Sequence, residues 1–324
     1  NSRVPDPSLA GASLPPGGGV AADAPIGVFD SGIGGLSVLQ ALCRALPAER
    51  FVYLADTGHA PYGERGDAFV ARRTHTVARY LVQQHGVKAL VVACNTATAA
   101  AMDGLRARYR SLPLIGVEPA LKPAGSATRS GTVAVMATRG TVGSARFARL
   151  VAQLPGSTQV RVQACDGLAS ALEAEVACRT AGEALAAHAH TLALCRRYVQ
   201  ALGPWGSVPG EADTLVLGCT HYVFAEAALQ ALVGPQVRIL STGEPVARQT
   251  QRLLQAQGLQ RPAATPALAA PLCLLSTGDA SALARAAERW LGVATAAHAR
   301  SATSRKFKGN RALALDAQEV VAIN

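Results

Sequence analysis

"LVLGCTHYVF", residues 215–224, joins a short apolar run to a glycine, a cysteine, a threonine and a histidine. A run of this length that ends at a small residue reads as a buried strand. The chain leaves that strand carrying hydrogen-bonding groups. Two readings of Cys219 stand at this point. Unpaired cysteine is among the most buried residue types, so it can be one more small core residue. It can also be a thiol held in a cleft. "LVVACNTATA", residues 90–99, has the same form, with an apolar run, a small residue, Cys94, then polar residues with a threonine. Two such cysteines at equivalent places suggest a duplicated unit with a thiol in each half.

Outward from these two stretches, short apolar runs alternate with longer helical segments. The first half holds "IGVFD" (26–30), "FVYLAD" (51–56), "ALVVAC" (89–94) and "LIGV" (114–117). The second holds "TVAVMAT" (132–138), "VRVQAC" (160–165), "TLVLGC" (214–219) and "VRIL" (237–240), and "PLCLLST" (271–277) follows. Strands alternating with helices predict parallel sheets covered on both faces. The expected fold class is therefore α/β, with two similar doubly wound parallel-sheet domains. The late strand and its helix return to the first domain. That gives a first domain over 26–117 plus 240–293 and a second over 118–239. Residues 1–25, rich in Pro, Gly and Ala, read as a disordered lead-in without the pattern of a secretory signal. Residues 294–324 read as a mobile basic tail.

Ligands of parallel α/β sheets bind beyond the carboxyl ends of the strands. Nearly every polar cluster here takes such a place: Asp30 and Ser31, Asp56, Cys94 with Asn95 and Thr96, Thr138, and Cys219 with Thr220 and His221. If the domains face each other, these clusters meet across one cleft.

Composition excludes several function classes. Hydrophobic residues make up 49% of the chain but aromatics only 4%, so the cores are built from Ala, Leu and Val. No apolar run approaches the ~18 residues of a membrane span. The net charge of +10 raises nucleic acid as a partner. The arginines are scattered, however, and the aromatics are too few for base-stacking platforms. A positive field equally suits an anionic small-molecule substrate. The seven cysteines form no C-x-x-C pair, so neither a metal ribbon nor a dithiol redox motif is indicated. Their odd number and wide spacing fit a reducing cytoplasm better than a disulfide framework.

"DSGIGGLSVLQAL" (30–42) reads as strand end, glycine turn and helix. It is neither a dinucleotide fingerprint nor a P-loop. Its glycines let backbone approach a ligand, and N–H groups at a helix start favour a carboxylate or phosphate. A plain helix cap by Asp30 or Ser31 accounts for it equally. "PYGERG" (61–66) is a turn in which Tyr62 can present a hydroxyl and a backbone N–H. As for the thiols, only about 3% of an ordinary cysteine is ionised at neutral pH. His221 would lower the pKa of Cys219 when protonated, and Asp30 would raise that of Cys94. One thiol is backed by a carboxylate and the other by an imidazole.

"IGVFDSGIGGLSVLQAL", "YLADTGHAPYG", "VVACNTATA", "IGVEPALKPA" and "LVLGCTHYVF" together resemble the glutamate racemases, in the cofactor-independent Asp/Glu racemase superfamily. The similarity runs from about residue 26 to about 250, more weakly to about 292. It implies two α/β domains around one active site and interconversion of L- and D-glutamate without cofactor or metal. It implies Cys94 and Cys219 as the two bases, with Cys219 acting on L-glutamate and Cys94 on D-glutamate. Asp30, His221 and Glu173 are carried over as assisting catalytic groups. Asp30, Ser31, Tyr62, Gly63, Asn95, Thr96, Thr138, Thr220 and His221 are carried over as substrate contacts. Around Glu173 the chain departs from the family, which usually has proline where Asp166 stands. The other five cysteines are expected to be structural or incidental. Four lysines, none at a strand-end cluster, fit thiol bases better than Schiff-base chemistry. The family further implies a role in peptidoglycan synthesis, a bacterial cytoplasmic location and a homodimer. The competing substrate is aspartate or another amino acid.

Overall fold

The computed structural model describes residues 22–262 and 272–293, together with two strands, 295–301 and 318–322. The rest of the lead-in expected over 1–25, namely 1–21, lies outside the described residues. Chain order begins with β1 (Ile26–Asp30), α1 (Leu36–Ala45), β2 (Phe51–Ala55), α2 (Asp67–His85), β3 (Ala89–Val92), α3 (Asn95–Arg108) and β4 (Leu114–Gly116). It continues with α4 (Leu121–Ala127), β5 (Thr132–Ala137), α5 (Arg139–Val142), α6 (Ala145–Ala152), β6 (Gln159–Ala164), α7 (Leu168–Ala177) and α8 (Ala181–Ala201). Then come β7 (Thr214–Gly218), α9 (Glu226–Val233), β8 (Arg238–Leu240), α10 (Gly243–Ala256), β9 (Leu272–Ser276) and α11 (Ala280–Leu291).

Strands β1–β4 and β9 join one sheet, and β5–β8 form the other. Within each set of four the spatial order is second, first, third, fourth, and all of these pairings are parallel. This shared order is the duplication foreseen in the two cysteine stretches. It also puts a topological switch point between first and third strands of each sheet. Cys94 follows the third strand of the first sheet and Cys219 that of the second.

Strands β1, β2, β3, β5 and β7 have period-two side chains with both faces buried. In β1, Ile26 and Val28 pack into one hydrophobic cluster and Phe29 into another on the opposite face. In β5, Ala134 and Met136 face one cluster, and Val133 and Val135 the other. The long helical stretch after Leu168 is broken at Cys178–Thr180. Thr180 and Glu183 form a reciprocal capping box that starts α8, a signal readable as T-x-x-E.

Within the tail expected over 294–324 lie β10 (Thr295–Ser301) and β11 (Gln318–Ala322), with the remainder outside the described residues. β11 pairs antiparallel with β9, and β10 antiparallel with β11. The first sheet is thus seven-stranded and not wholly parallel. No helix among the described residues is long and apolar enough to cross a membrane.

At the end of the first sheet away from the strand carboxyl ends, Lys88 and Glu49 form a buried ion pair at 2.5 Å. Lys88→Met strands the Glu49 carboxylate in the interior. Losing one partner of such a pair costs about 3–5 kcal/mol, which urea unfolding at neutral pH will register.

Candidate active site

The carboxyl ends of both sheets enclose a cavity of about 280 Å3, near the lower end of the range for small-ligand sites. The first lobe contributes Ser31, Tyr62, Gly63, Cys94, Asn95 and Thr96 to its wall. The second contributes Thr138, Glu173, Cys219, Thr220 and His221. The cysteines stand 5% and 6% exposed, so water reaches neither freely.

Cys94 occupies the N-cap of α3, its sulfur accepting the Ala97 N–H at 3.5 Å while its thiol donates to Ser31 Oγ at 3.6 Å. Burial pushes its pKa well up, and the nearby Asp30 charge adds to this. Cys219 follows β7 and opens a 3₁₀ turn over Thr220–Ala225. That tight turn brings the His221 ring back, with Nδ1 3.7 Å from Cys219 Sγ. His221 Nε2 lies 2.7 Å from Glu173 Oε1, so the imidazole bridges thiol and carboxylate. Burial opposes charging the ring, but its bonds to Cys219 and Glu173 prevail, and the His221 pKa sits well above its ordinary value. The two thiols are therefore electrostatically unlike: one has a buried carboxylate behind it, the other an imidazole that holds its proton.

Three expectations need correction. Asp30 does not line the cavity. It is fully buried behind Cys94, with Oδ2 accepting the Gly35 N–H at 2.7 Å. Burial raises its pKa against the opposing pull of His221. The glycine loop does not offer its amides to a ligand either. The Ile33 N–H donates to Glu173 at 2.7 Å, and Gly34 lies against His221. A Cβ on Gly32 would sit 1.8 Å from Glu173 Oε1, and one on Gly34 would sit 2.3 Å from His221 Nδ1. These glycines exist to admit side chains of the other lobe. Finally, the Tyr62 hydroxyl turns away and donates to Asp56 Oδ2 at 2.5 Å. Asp56 is in turn held by Arg73 and Thr277. The ring of Tyr62 therefore presents an apolar wall.

Asn95 is buried with both amide atoms unpaired, and it lines the cavity. Thr96 and Thr138 meet hydroxyl to hydroxyl at 2.9 Å across the lobes. Thr138 also caps α5. Sequence reasoning missed Glu64, Arg139, Asp166 and Cys165 as wall residues. For Cys165 a signal existed: "VRVQAC" ends in cysteine as the other two strands do. Its carbonyl accepts the Tyr222 hydroxyl at 3.1 Å, and burial raises its pKa. Arg139 and Asp166 form an ion pair at the mouth. Among the described residues no cluster of three or more His, Cys, Asp or Glu could hold a metal.

Paired doubly wound lobes, with acid–base side chains closing from both sides on an amino-acid-sized space, define a two-lobed α/β enzyme. Residues 26–250 match the family described as Asp/Glu/Hydantoin racemase, and the chain belongs to that family. It is an isomerase, an amino acid racemase. A glutamate racemase from Ectopseudomonas mendocina is 49% identical over 231 residues, covering 71% of this chain and 82% of that protein. A glutamate racemase isoform from Bacillus anthracis superposes with a TM-score of 0.68 at 32% identity, covering 83% of this chain and 94% of that one. The Escherichia coli glutamate racemase, solved with L-glutamate and the activator UDP-MurNAc-ala, gives a TM-score of 0.69 at 29% identity, covering 82% and 95%.

Proposed function

We propose that this chain interconverts L- and D-glutamate by moving the α-proton between two thiols, Cys94 and Cys219, on opposite faces of the substrate Cα. One observation carries this: in each repeat the cysteine that follows the third strand reaches the same cavity. One sulfur takes the proton as thiolate while the other returns one as thiol. Excluding water strengthens a thiolate base and protects the carbanion-like transition state. Asp30 acts through Cys94 by raising its pKa. That keeps the thiol protonated at rest and makes its thiolate a stronger base. On the other face, His221 bridges Cys219 and Glu173 and keeps its proton beside the sulfur. Asn95 supplies unpaired amide donors and an acceptor for the substrate, and Thr96 and Thr138 supply hydroxyls.

By family likeness Cys219 acts on L-glutamate and Cys94 on D-glutamate. The product feeds peptidoglycan synthesis in the bacterial cytoplasm, where thiols stay reduced, and the working unit is a homodimer. Aspartate is the competing substrate. Losing one methylene costs an apolar pocket only about 1–3 kcal/mol, so aspartate turns over about 10–200-fold less efficiently.

The test is incubation of the full chain with L-glutamate in D₂O, without added cofactor. Optical rotation decays to zero, and deuterium enters D-glutamate before it enters the remaining L-glutamate. That order marks two bases. Deuterium appearing first in unreacted L-glutamate would mean one base serves both faces. No change with glutamate but decay with aspartate would move the substrate assignment to aspartate.

A further inference from the structure

Helix α7 belongs to the second sheet by chain order, yet it is fastened to the first lobe along its length. At its start, the Gly167 N–H donates to Glu64 Oε1 at 2.9 Å. At its middle, Glu173 accepts the Ile33 N–H. At its end, Arg285 of α11 donates through Nε to the Val176 carbonyl at 3.1 Å, and through a second guanidinium nitrogen to that of Ala177 at 3.5 Å. A carboxylate at the amino end and a guanidinium at the carboxyl end each carry the sign the helix dipole favours. The N-cap position is Gly167 itself, at φ 78°, with no side-chain cap of its own. Glu64 therefore supplies, from the other lobe, the acceptor for the N-cap N–H that an N3 glutamate would provide in a capping box.

We propose that Glu64 and Arg285 are positioning residues that clamp the two ends of α7 to the first lobe and so hold Glu173 on His221. This deepens the function proposed above and rests on it. Three ionisable groups face His221: Cys219 from its own turn, Glu173 from α7, and buried Asp30 from the first lobe. Of these, only Glu173 depends on the seat of α7. Arg139 and Asp166 flank Glu64 at the cavity mouth.

The experiment follows kcat and KM for glutamate racemisation across pH in Glu64→Ala, Arg285→Ala, Glu64→Gln, Glu173→Gln and the Glu64→Ala/Glu173→Gln double variant. Each single alanine variant lowers kcat about 10-fold or more, the scale of a small misplacement. The alkaline limb of kcat moves to lower pH, because a loosened Glu173 no longer helps His221 keep its proton. Glu64→Gln, whose amide oxygen still accepts the Gly167 N–H, recovers most of kcat and the wild-type limb. In the Glu173→Gln background, Glu64→Ala changes the profile little further, as expected of residues acting in series. Arg285→Ala probes the opposite end of the helix should Glu64→Ala fail to fold. Unchanged kcat and limb in the folded alanine variants overturn the clamp, as does full additivity with Glu173→Gln. Wild-type protein that binds but does not racemise glutamate sinks the proposed function instead.

Discussion

Replacing either Cys94 or Cys219 with alanine lowers glutamate racemisation by about 10²–10⁴-fold, the usual cost of losing a positioned general acid or base. The loss is equal in both directions. L- and D-glutamate have the same free energy, so kcat/KM must match for the two enantiomers in every variant and at every pH. Each variant keeps one base on one face. Cys219→Ala still exchanges the α-proton of one enantiomer with D₂O without inverting it, and Cys94→Ala exchanges the other. By family likeness these are D- and L-glutamate, respectively. Proton NMR and polarimetry on the same samples separate exchange from inversion. Stability is the necessary control, because Cys94 also caps α3. Cys94→Ser answers it: serine is a good N-cap, but its hydroxyl is far too weak an acid to serve as the base. That variant folds like the wild type and remains inactive. Near-normal turnover in any of the three would remove that cysteine from the chemistry.

Gly34→Ala is expected to cost about 10²-fold in kcat/KM, the effect of displacing a catalytic group by about an ångström. The new methyl would stand 2.3 Å from His221 Nδ1 and 2.6 Å from Cε1. The ring cannot yield, because Cys219 holds one nitrogen and Glu173 the other. Either the imidazole rotates off Cys219 or the lobes separate. Overpacking of this kind lowers stability by about 1–3 kcal/mol. Gly66→Ala is the matched control, since a methyl there meets nothing within 4 Å. Kinetics and urea unfolding on both variants distinguish a steric block at the site from a general intolerance of glycine replacement. A fully active Gly34→Ala enzyme would show that His221 need not stay where it sits.

The strand-end clusters were legible because they rest on local information. Apolar runs of four to six residues, each closed by a small residue and then a polar one, mark where a parallel strand leaves the sheet. The strand-order rule says what such places do. Wall residues such as Cys94, Asn95, Thr138 and Cys219 came from that logic. The glycine loop, Tyr62 and Asp30 were placed less well. The loop amides and the Tyr62 hydroxyl are taken by protein partners, and Asp30 is buried with Oδ2 on Gly35 and Oδ1 unpaired. The polar atoms of "DSGIGG" had more than one partner to choose from, and sequence does not name the partner that wins.

The sequence by itself determined the fold class, the duplication and the position of each cysteine at the end of a third strand. Periodicity and backbone hydrogen bonding act over a few residues, and both are written along the chain. The tertiary structure alone decided that Gly32 and Gly34 make room for Glu173 and His221. It alone put Asp30 behind its thiol and turned the Tyr62 hydroxyl to Asp56. It alone carried α7 across the cleft onto Glu64 and Arg285. The contacts of the glycine loop and of α7 join residues more than a hundred positions apart. They exist only because two separately folded sheets present their carboxyl ends to each other, and the packing of one lobe on the other decides which partner each group meets.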